Sequence, residues 1–376
     1  MAIILVALPA RDFDPTEAGV PWKYLAHLGH QFVFATPDGK PATADPMMVT
    51  GERLGILSPL LRANTDGRNA YAEMIASSEF QHPIGWSSIR TKSFDAIILP
   101  GGHAKGMRPY LESTLLQARL LEFFQANKIV GAICHGVVLA ARTKLADGDS
   151  ILRGRKTTAL TAMMELSAWR MTSFYLGDYY RTYPETVEDE VRHALTTPKD
   201  FISGPVSLTR DRAGNTSIGF VVRDGNYLSA RWPGDAHRFA ETLHAMLSER
   251  TSLMLEISHQ FPNDADGDVL RSLVERGVDL TKPRIIDFYC YARDELTAQS
   301  IVDDLTQLGY ACRISLDEET EEPEERQSVY ASRSIVPSYK TVIEIQSELD
   351  LLLRRYETVC DGWGTLVDPS DPNPKL

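Results

Sequence analysis

The chain has 376 residues, of which 43% are hydrophobic and 24% charged, as in an ordinary folded protein long enough for two or three domains. No apolar run approaches the ~18 residues of a membrane-spanning helix, which argues against a helical membrane protein. The four cysteines lie far apart without a CxxC pair, so the pattern indicates neither a disulfide framework nor a zinc site. We therefore expect a cytoplasmic protein with reduced thiols and no membrane contact.

The charge is distributed unevenly along the chain. Residues 1–256 contain 27 acidic and 27 basic residues, so the whole net charge of −12 belongs to residues 257–376. A change of this kind marks a domain boundary. It also argues against direct nucleic-acid binding by the acidic end, since phosphates and carboxylates repel each other.

The first 250 residues alternate predicted strands and helices. Amphipathic stretches such as Leu111–Ala126 and Pro233–Glu249 predict helices, and short apolar or β-branched runs predict strands. These strands are Ala2–Leu8, Gln31–Ala35, Phe94–Leu99, Ile129–Ile133, Val206–Leu208, Ser217–Val222 and Tyr227–Ser229. The alternation is typical of a parallel sheet with helices on both faces, in which ligands bind at the carboxyl ends of strands.

A second pattern follows a break near residues 250–265. Its predicted order is βαββα, a small α+β domain. The elements are Arg284–Ala292, Glu295–Leu308, Tyr310–Leu316, Ser328–Ser334 and Ser338–Thr358. We expect domains over 1–250 and 256–368, a solvated glutamate-rich loop over 317–325 and a disordered tail over 369–376.

Cys134 follows the buried strand Ile129–Ile133 and precedes Gly136 and a helix-compatible stretch. A strand that turns sharply into a helix places the residue at the turn on a tight elbow with an exposed side chain. The pattern predicts Cys134 as a nucleophile and His135 as its base or cationic partner. The alternative is a buried, inert cysteine followed by an incidental histidine, because most free cysteines are core residues.

The predicted position of Cys134 also bears on its acidity. Unpaired N–H groups at a helix N-terminus favour a thiolate, so we expect a thiol pKa lowered from ~8.5 by one or more units. Glu17, in the first turn of the first predicted helix, complicates this: a protonated carboxyl stabilises a thiolate, whereas an ionised one repels it. Glu17 is equally well placed to interact only with the helix dipole.

Gly101 and Gly102 follow the predicted strand Phe94–Leu99. Their backbone N–H groups, together with that of His135, are candidates for an oxyanion site above Cys134, since glycine allows close backbone approach. An ordinary turn explains the two glycines equally well. Neither a GxGxxG nor a P-loop pattern occurs, so nucleotide binding is unsupported.

Three segments together resemble the ThiJ/PfpI family, which has a class I glutamine-amidotransferase-like fold. They are Ala132-Ile-Cys-His-Gly136, Leu99-Pro-Gly-Gly-His103 and Asp14-Pro-Thr-Glu-Ala18, within roughly residues 1–249. The resemblance implies a flavodoxin-like sandwich with a parallel central sheet and a cysteine elbow. It further implies a homo-oligomer that works without a cofactor or metal.

The same resemblance implies roles for individual residues. Glu17 would hydrogen-bond Cys134, and the amides of Gly102 and His135 would be the oxyanion donors. Some family members complete a Cys-His-acid triad, and rough alignment through Gly154 places that acid at Glu165.

A second set of segments resembles the RraB family of ribonuclease E inhibitors over about residues 256–368. The segments are Asp264-Ala-Asp-Gly-Asp268, Asp287-Phe-Tyr289, Ile335-Val-Pro337 and Asp361-Gly-Trp-Gly364. This resemblance implies a ferredoxin-like α+β domain whose aspartates are surface features for a basic protein partner. A calcium loop at the first segment is disfavoured, because the glycine stands at the wrong position.

The two resemblances imply a cysteine-dependent enzyme acting on a small carbonyl or amide substrate. The activity would be glyoxalase III-like (methylglyoxal to lactate), or that of a related hydrolase, hydratase or peptidase, with a C-terminal regulatory module. The competing hypothesis is a non-catalytic stress protein, in which Cys134 senses oxidation and the acidic domain binds a ribonuclease E-like partner. The fold does not choose between them.

Overall fold

The computed structural model describes residues 1–365 except 208, 277, 279 and 317–326, and it also leaves the side chains of 254, 255, 257–259 and 316 undescribed. The chain divides into two compact units, Met1–Arg250 and Thr251–Leu376. The predicted tail 369–376 and the glutamate-rich run 317–325 lie outside the described residues. Among the described helices, none combines the length and the apolar character needed to cross a membrane.

The first unit is built on a seven-stranded sheet. The strands of this unit are β1 Ile3–Ala7, β2 Arg11–Phe13, β3 Gln31–Thr36, β4 Thr43–Ala44, β5 Ile84–Gly85, β6 Ala96–Leu99, β7 Ile129–Ile133, β8 Val221–Asp224 and β9 Tyr227–Ala230. Of these, β2 and β4 pair with each other and are not part of the seven-stranded sheet. The order is β5-β3-β1-β6-β7-β9-β8, and all neighbours are parallel except β8 and β9. This confirms the predicted α/β class with a parallel central sheet.

Helices connect these strands. They are α1 Pro15–His27, α2 Pro46–Thr50, α3 Ser58–Leu61, α4 Thr65–Ala76, α5 Ser78–Gln81, α6 Arg108–Leu111, α7 Thr114–Gln125, α8 Gly136–Arg142, α9 Ala162–Leu176, α10 Val187–His193 and α11 Ala236–Gln260. We predicted that the last of them would end at Glu249, but α11 continues to Gln260. No glycine or proline occurs between those two positions, so nothing local stops the helix.

The strand before Cys134, β7, lies inside the sheet between β6 and β9. All five residues of β7 are buried, which explains why the run is apolar on both faces. Gly131 in its middle is required by packing, because a Cβ there would lie 2.5 Å from the ring of Phe239 on α11. The predicted strand at 206–208 is wrong for residues 206 and 207, which are not in a strand, and residue 208 is not described.

The second unit contains a four-stranded antiparallel sheet. Its elements are α12 Ala265–Glu275, β10 Arg284–Ala292, α13 Glu295–Gln307, β11 Ala311–Leu316, β12 Gln327–Ile335, α14 Tyr339–Leu353 and β13 Gly362–Gly364. The order is β11-β12-β10-β13. The predicted α+β fold is confirmed, and the structure adds a leading helix and a short edge strand.

The acidic segment at the start of the second unit has a structural role. Asp264 caps α12 by accepting from the N–H of Gly267 at 2.9 Å. Asp266 Oδ1 accepts from Trp363 Nε1 at 2.7 Å and from Gln346 Nε2 at 2.9 Å. Asp264 therefore stabilises the start of α12, and Asp266 holds α12 against β13 and α14, although we expected both to serve a partner.

Candidate active site

The chain turns at Cys134 between β7 and α8. Cys134 has a φ of 55°, in the left-handed region that a residue with a Cβ rarely occupies, which is the backbone signature of a nucleophile elbow. Its N–H donates to the carbonyl of Ala230 at 3.0 Å and ties the turn to β9. The sequence predicted an exposed side chain, but Cys134 is fully buried.

The Pro-Gly-Gly loop at the end of β6 packs directly against this elbow. A Cβ at Gly101 would lie 2.6 Å from the backbone nitrogen of His135, so only glycine fits without displacement. The N–H of Gly101 donates to Glu17 Oε2 at 2.7 Å. Gly101 is therefore occupied in holding Glu17, which leaves the amides of Gly102 and His135 as the candidates for an oxyanion site.

Glu17 is fully buried in the first turn of α1. Burial, and then the nearby charge of Asp14, raise its pKa well above the ordinary value, while hydrogen bonds from Gly101 and from the Cys134 side chain lower it by less. The second carboxyl oxygen, Oε1, makes no hydrogen bond of normal geometry within the described residues, so the Cys134 thiol is a weak donor. The raised pKa favours the neutral, protonated form of Glu17 more than in an exposed glutamate.

Asp14, and not Glu17, satisfies the start of α1. Asp14 Oδ1 accepts from the N–H of Thr16 at 2.8 Å and from that of Glu17 at 3.1 Å. The backbone N–H of Asp14 donates to the carbonyl of Gly101 at 2.8 Å and joins the helix start to the glycine loop. Asp14 therefore caps the helix, and a helix-dipole role for Glu17 stays a prediction.

The environment of the Cys134 thiol differs from our prediction. Burial, followed by the charges of Glu17 and Asp14, raises the pKa of the thiol well above its ordinary value. The N–H of His135 lowers that pKa, but by less. The prediction of an unusually acidic thiol is wrong, and Cys134 needs a base to become a nucleophile.

His135 is placed to act as that base. Its Nδ1 lies 3.5 Å from Cys134 Sγ, and its Nε2 lies 3.0 Å from Thr182 Oγ1. Thr182 Oγ1 donates its only proton to the carbonyl of His103 at 2.5 Å, so it can only accept a hydrogen bond from His135. Nε2 of His135 therefore carries the ring proton, and Nδ1, which faces the sulfur, is unprotonated. Burial lowers the pKa of His135 well below its ordinary value and keeps the ring neutral.

His103 completes the wall of the site. Burial lowers its pKa to about 4, and its ring meets that of His135 edge to face with centroids 5.4 Å apart. The ligand atoms of His103, Cys134 and His135 lie within 4.8 Å of one another. Neutral imidazoles and a thiolate are zinc ligands, but an ion held there would block the sulfur. The expectation of a metal-free site stays a prediction.

Among the described residues, Glu165 forms no hydrogen bond with His135. Its Oε2 accepts from the N–H of Val187 at 2.9 Å, and its Oε1 lies 3.5 Å from Arg181 Nε. Burial raises the pKa of Glu165 to about 7. The position opposite Cys134 on the imidazole, where the resemblance implied an acid, is taken by Thr182. Thr182 lies in the stretch 151–200, which carried no motif, so no local signal identified it.

Comparisons with known proteins agree with this architecture. Residues 8–205 match the family model described as ThiJ/PfpI family-like, and residues 263–365 match the model described as Regulator of ribonuclease activity B. In the fold comparison, Rapid Encystment Protein 24 KDa of Francisella tularensis has a TM-score of 0.50 at 19% identity, covering 66% of this chain and 99% of that one.

Two curated relatives have named activities. Pyridoxal 5'-phosphate synthase subunit PdxT of Bifidobacterium longum is 32% identical over 143 residues, which are 37% of this chain and 71% of that protein. The glutathione-independent glyoxalase hsp3101 of Schizosaccharomyces pombe is 33% identical over 81 residues, 21% of this chain and 33% of that protein.

These matches cover only part of each relative, which limits the functions that they can assign to this chain. The match to another Schizosaccharomyces pombe relative, at 24% identity over 145 residues, takes in 36% of this chain and only 53% of that protein. The ThiJ/PfpI-like model, by contrast, spans more than half of the 376 residues and includes the elbow, the glycine loop and Glu17. The chain therefore belongs to the ThiJ/PfpI-like family, and it carries after that region a segment that matches Regulator of ribonuclease activity B.

Proposed function

We propose that the first unit converts a small α-oxoaldehyde into the corresponding α-hydroxy acid without a cofactor, with Cys134 as the nucleophile. The observation that carries this proposal is the hydrogen-bonded series Cys134–His135–Thr182, which sets a bare imidazole nitrogen against the sulfur. The similarity to a glutathione-independent glyoxalase supports the substrate class.

The first step would use His135 as a general base. Cys134 Sγ attacks the aldehyde carbon while its proton passes to Nδ1 of His135, and a hemithioacetal forms. The N–H groups of Gly102 and His135 would stabilise the oxyanion that develops. A base is required because burial keeps the thiol protonated at neutral pH.

Glu17 would carry protons in the next steps. Moving the C1 proton of the hemithioacetal to C2, through an enediol, gives a thioester of the α-hydroxy acid. A buried carboxyl group suits this exchange, because its raised pKa makes the carboxylate a stronger base than an exposed glutamate, and the same group can return the proton to C2. Water then hydrolyses the thioester and frees the thiol. The aldehyde carbon is oxidised as the ketone carbon is reduced, so no external oxidant is needed.

The site favours this reading over a redox sensor. Sensor cysteines are accessible and have a low thiol pKa. Cys134 is fully buried, and the pKa of its thiol is raised. Amide hydrolysis would use the same nucleophile and oxyanion donors, so the assay must separate it from the glyoxalase reaction.

The test is lactate formation from methylglyoxal by the purified chain, followed by proton NMR. We expect turnover in the wild type and a fall of about 100-fold or more in Cys134→Ser. Cys312→Ser, at a half-buried cysteine of the second unit, is the matched control and should retain turnover. Hydrolysis of amides without any lactate formation would replace the proposal with a hydrolase.

We also propose that the second unit is a separate domain that binds a basic protein, such as a ribonuclease E-like partner. The match to Regulator of ribonuclease activity B and the net charge of −12 over residues 257–376 support this. An acidic surface speeds encounter with a basic partner and makes binding sensitive to salt. The homo-oligomer and the cytoplasmic location stay predictions.

Two exposed glutamates on α14 allow a direct test with the full chain. We expect Glu344→Lys/Glu348→Lys to weaken binding to a ribonuclease E-like protein, measured by calorimetry. Binding by the wild type should weaken as salt rises from about 50 mM to about 300 mM, since surface charges are then screened. Glu52→Lys, at an exposed position of the first unit, is the control. Salt-independent or absent binding would contradict this proposal.

A further inference from the structure

Buried polar atoms without a partner collect around the Cys134 site. Several such side-chain atoms occur among the described residues, and five of them belong to one group. The group consists of Glu17 Oε1, His103 Nδ1, Tyr180 OH, Arg210 Nη1 and Trp232 Nε1. Almost all buried polar groups in folded proteins have a hydrogen-bond partner, so five orphans in one place require an explanation.

Ring contacts and charge effects join these five residues. The ring centroids of His103 and Tyr180 are 5.1 Å apart, and Arg210 Cζ lies 5.5 Å from the centroid of the Trp232 ring. Arg210 is also near enough to Tyr180 and Glu17 for their charges to act on it. Glu17 accepts from the N–H of Gly101, which packs against the backbone nitrogen of His135, so the group is continuous with the candidate active site.

Arg210 is fixed on one side and open on the other. Its Nη2 donates to the carbonyls of Leu60 at 3.2 Å and Arg62 at 2.9 Å, while Nη1 is buried with no acceptor. Guanidinium remains cationic even when burial lowers its pKa, as burial does here. Among the described residues the guanidinium forms no ion pair with a carboxylate, and its charged group lies against the Trp232 ring instead.

The competing explanation is that Asp14 balances the charge of Arg210, because among the nearby charges that of Asp14 does most to favour the cationic form of Arg210. Asp14 Oδ1 is already used by the backbone N–H groups of Thr16 and Glu17, and Asp14 acts on Arg210 only at a distance. The competing explanation also leaves Trp232 Nε1 unexplained, since an indole nitrogen can only donate. Arg210 Nη1, Trp232 Nε1 and Tyr180 OH are three buried donors without an acceptor among the described residues, and a carboxylate would supply two oxygens with negative charge.

We infer that the substrate of the Cys134 site is a small carbonyl compound carrying a carboxylate, and that Arg210, Trp232 Nε1 and Tyr180 OH bind this carboxylate. The inference rests on the proposed function for the reaction and extends it to the substrate class. With 4,5-dioxopentanoate as substrate, the aldehyde would react with the thiol, one water would be added, and 2-hydroxyglutarate would leave.

The test compares two aldehydes that differ only at the far end. 4,5-dioxopentanoate carries a carboxylate where 2-oxopentanal carries a methyl group. We expect the wild type to prefer the first by about tenfold or more in kcat/KM, as a charge-assisted hydrogen bond provides. Arg210→Met should reduce the ratio toward one, and Trp232→Phe, which keeps a ring but loses the donor, should reduce it severalfold. Arg153→Met, at an exposed arginine, should keep the ratio.

A binding measurement separates this inference from the proposed function. 4-oxopentanoate has the carboxylate and the ketone but no aldehyde, so it can bind without reacting. Calorimetry should show binding by the wild type that weakens about tenfold or more in Arg210→Met. Arg210-dependent binding without turnover of any aldehyde would retain this inference and overturn the glyoxalase proposal. Equal turnover of both aldehydes by the wild type would overturn the inference and retain the glyoxalase proposal, whether or not the variants fold.

Discussion

Thr182 Oγ1 accepts a hydrogen bond from His135 Nε2 at 3.0 Å and donates its own proton to the carbonyl of His103 at 2.5 Å. A neutral hydroxyl therefore orients the imidazole where the family resemblance implied a carboxylate. Unlike a carboxylate, this hydroxyl adds no charge that would stabilise an imidazolium, which is consistent with a buried ring whose pKa is lowered.

Replacing Thr182 by valine tests whether this hydroxyl fixes the tautomer. Thr182→Val keeps the shape but removes the acceptor, so the ring proton is free to move to Nδ1, where it would face Cys134. We expect kcat for the α-oxoaldehyde reaction to fall by about 10- to 100-fold. Nitrogen chemical shifts of His135 should show the change of tautomer, which a purely structural role would leave unmoved. Thr182→Ser keeps the hydroxyl and should keep both properties.

Glu17→Gln separates a proton carrier from a structural carboxyl. Glutamine can still accept from the N–H of Gly101, so the free energy of unfolding should change little. The rate should fall by about 100-fold or more, because an amide cannot exchange the proton. Glu73→Gln, which only breaks the exposed ion pair with Lys23, is the control for stability and rate. Full activity in Glu17→Gln would remove this residue from the mechanism.

The raised pKa of Glu165 predicts how stability depends on pH. Burial raises this pKa to about 7 from an unfolded value of 4.5, so between these values the folded chain holds a proton that the unfolded chain has lost. Stability contributed by the neutral form is therefore lost as pH rises from 4.5 to 7, on the order of 3 kcal/mol in all. Glu165→Gln should flatten this decline in thermal unfolding curves. A decline identical in the variant would show that other groups cause it.

The pair His30–His244 should reduce stability as the pH falls, which is opposite to the effect expected of Glu165. Nε2 of His30 lies 3.0 Å from Nδ1 of His244. Burial, followed by the charge of His244, lowers the pKa of His30. The unfolded chain then binds a proton at a pH where the folded chain does not, so stability should fall as pH drops below about 6.5. His30→Gln should weaken this loss, measured as the midpoint of unfolding against pH. His82→Gln, at an exposed histidine, should leave it unchanged.

The hydrogen bond from Trp363 to Asp266 should contribute to the stability of the second unit. Asp266→Ala would leave Trp363 Nε1 without its acceptor, which should cost about 1–3 kcal/mol. Asp266→Asn keeps an oxygen that can accept and should cost less. Hydrogen exchange at β13 would measure both, and equal protection in the two variants would show that this bond does not hold the edge strand.

Local sequence patterns were enough to predict much of the fold. The bounds of Ile129–Ile133 and Arg284–Ala292 are as predicted, because each is a continuous or alternating apolar run that no neighbour overrides. The elbow at Cys134 was equally predictable from the glycine two residues later. The leading helix of the second unit was missed, although Asp264 is a strong N-cap residue.

The chemistry of the site was less predictable, because it depends on contacts between distant residues. Thr182 and His135 are 47 positions apart, and no local pattern joins them. The sign of the Cys134 pKa shift was wrong for a similar reason. A helix terminus favours a negative charge by only about 0.3–1 kcal/mol, whereas burial by Glu17 and the glycine loop acts more strongly in the other direction.

The backbone at Cys134 places activity and thermal stability in conflict. A residue with a Cβ in the left-handed region costs about 1–2 kcal/mol relative to a relaxed conformation, and glycine escapes that cost. Screening random variants for heat resistance alone should therefore discard the cysteine wherever the relieved backbone strain exceeds the packing that the buried sulfur provides. A screen that also demands turnover should keep cysteine and find its stabilising changes elsewhere in the sheet.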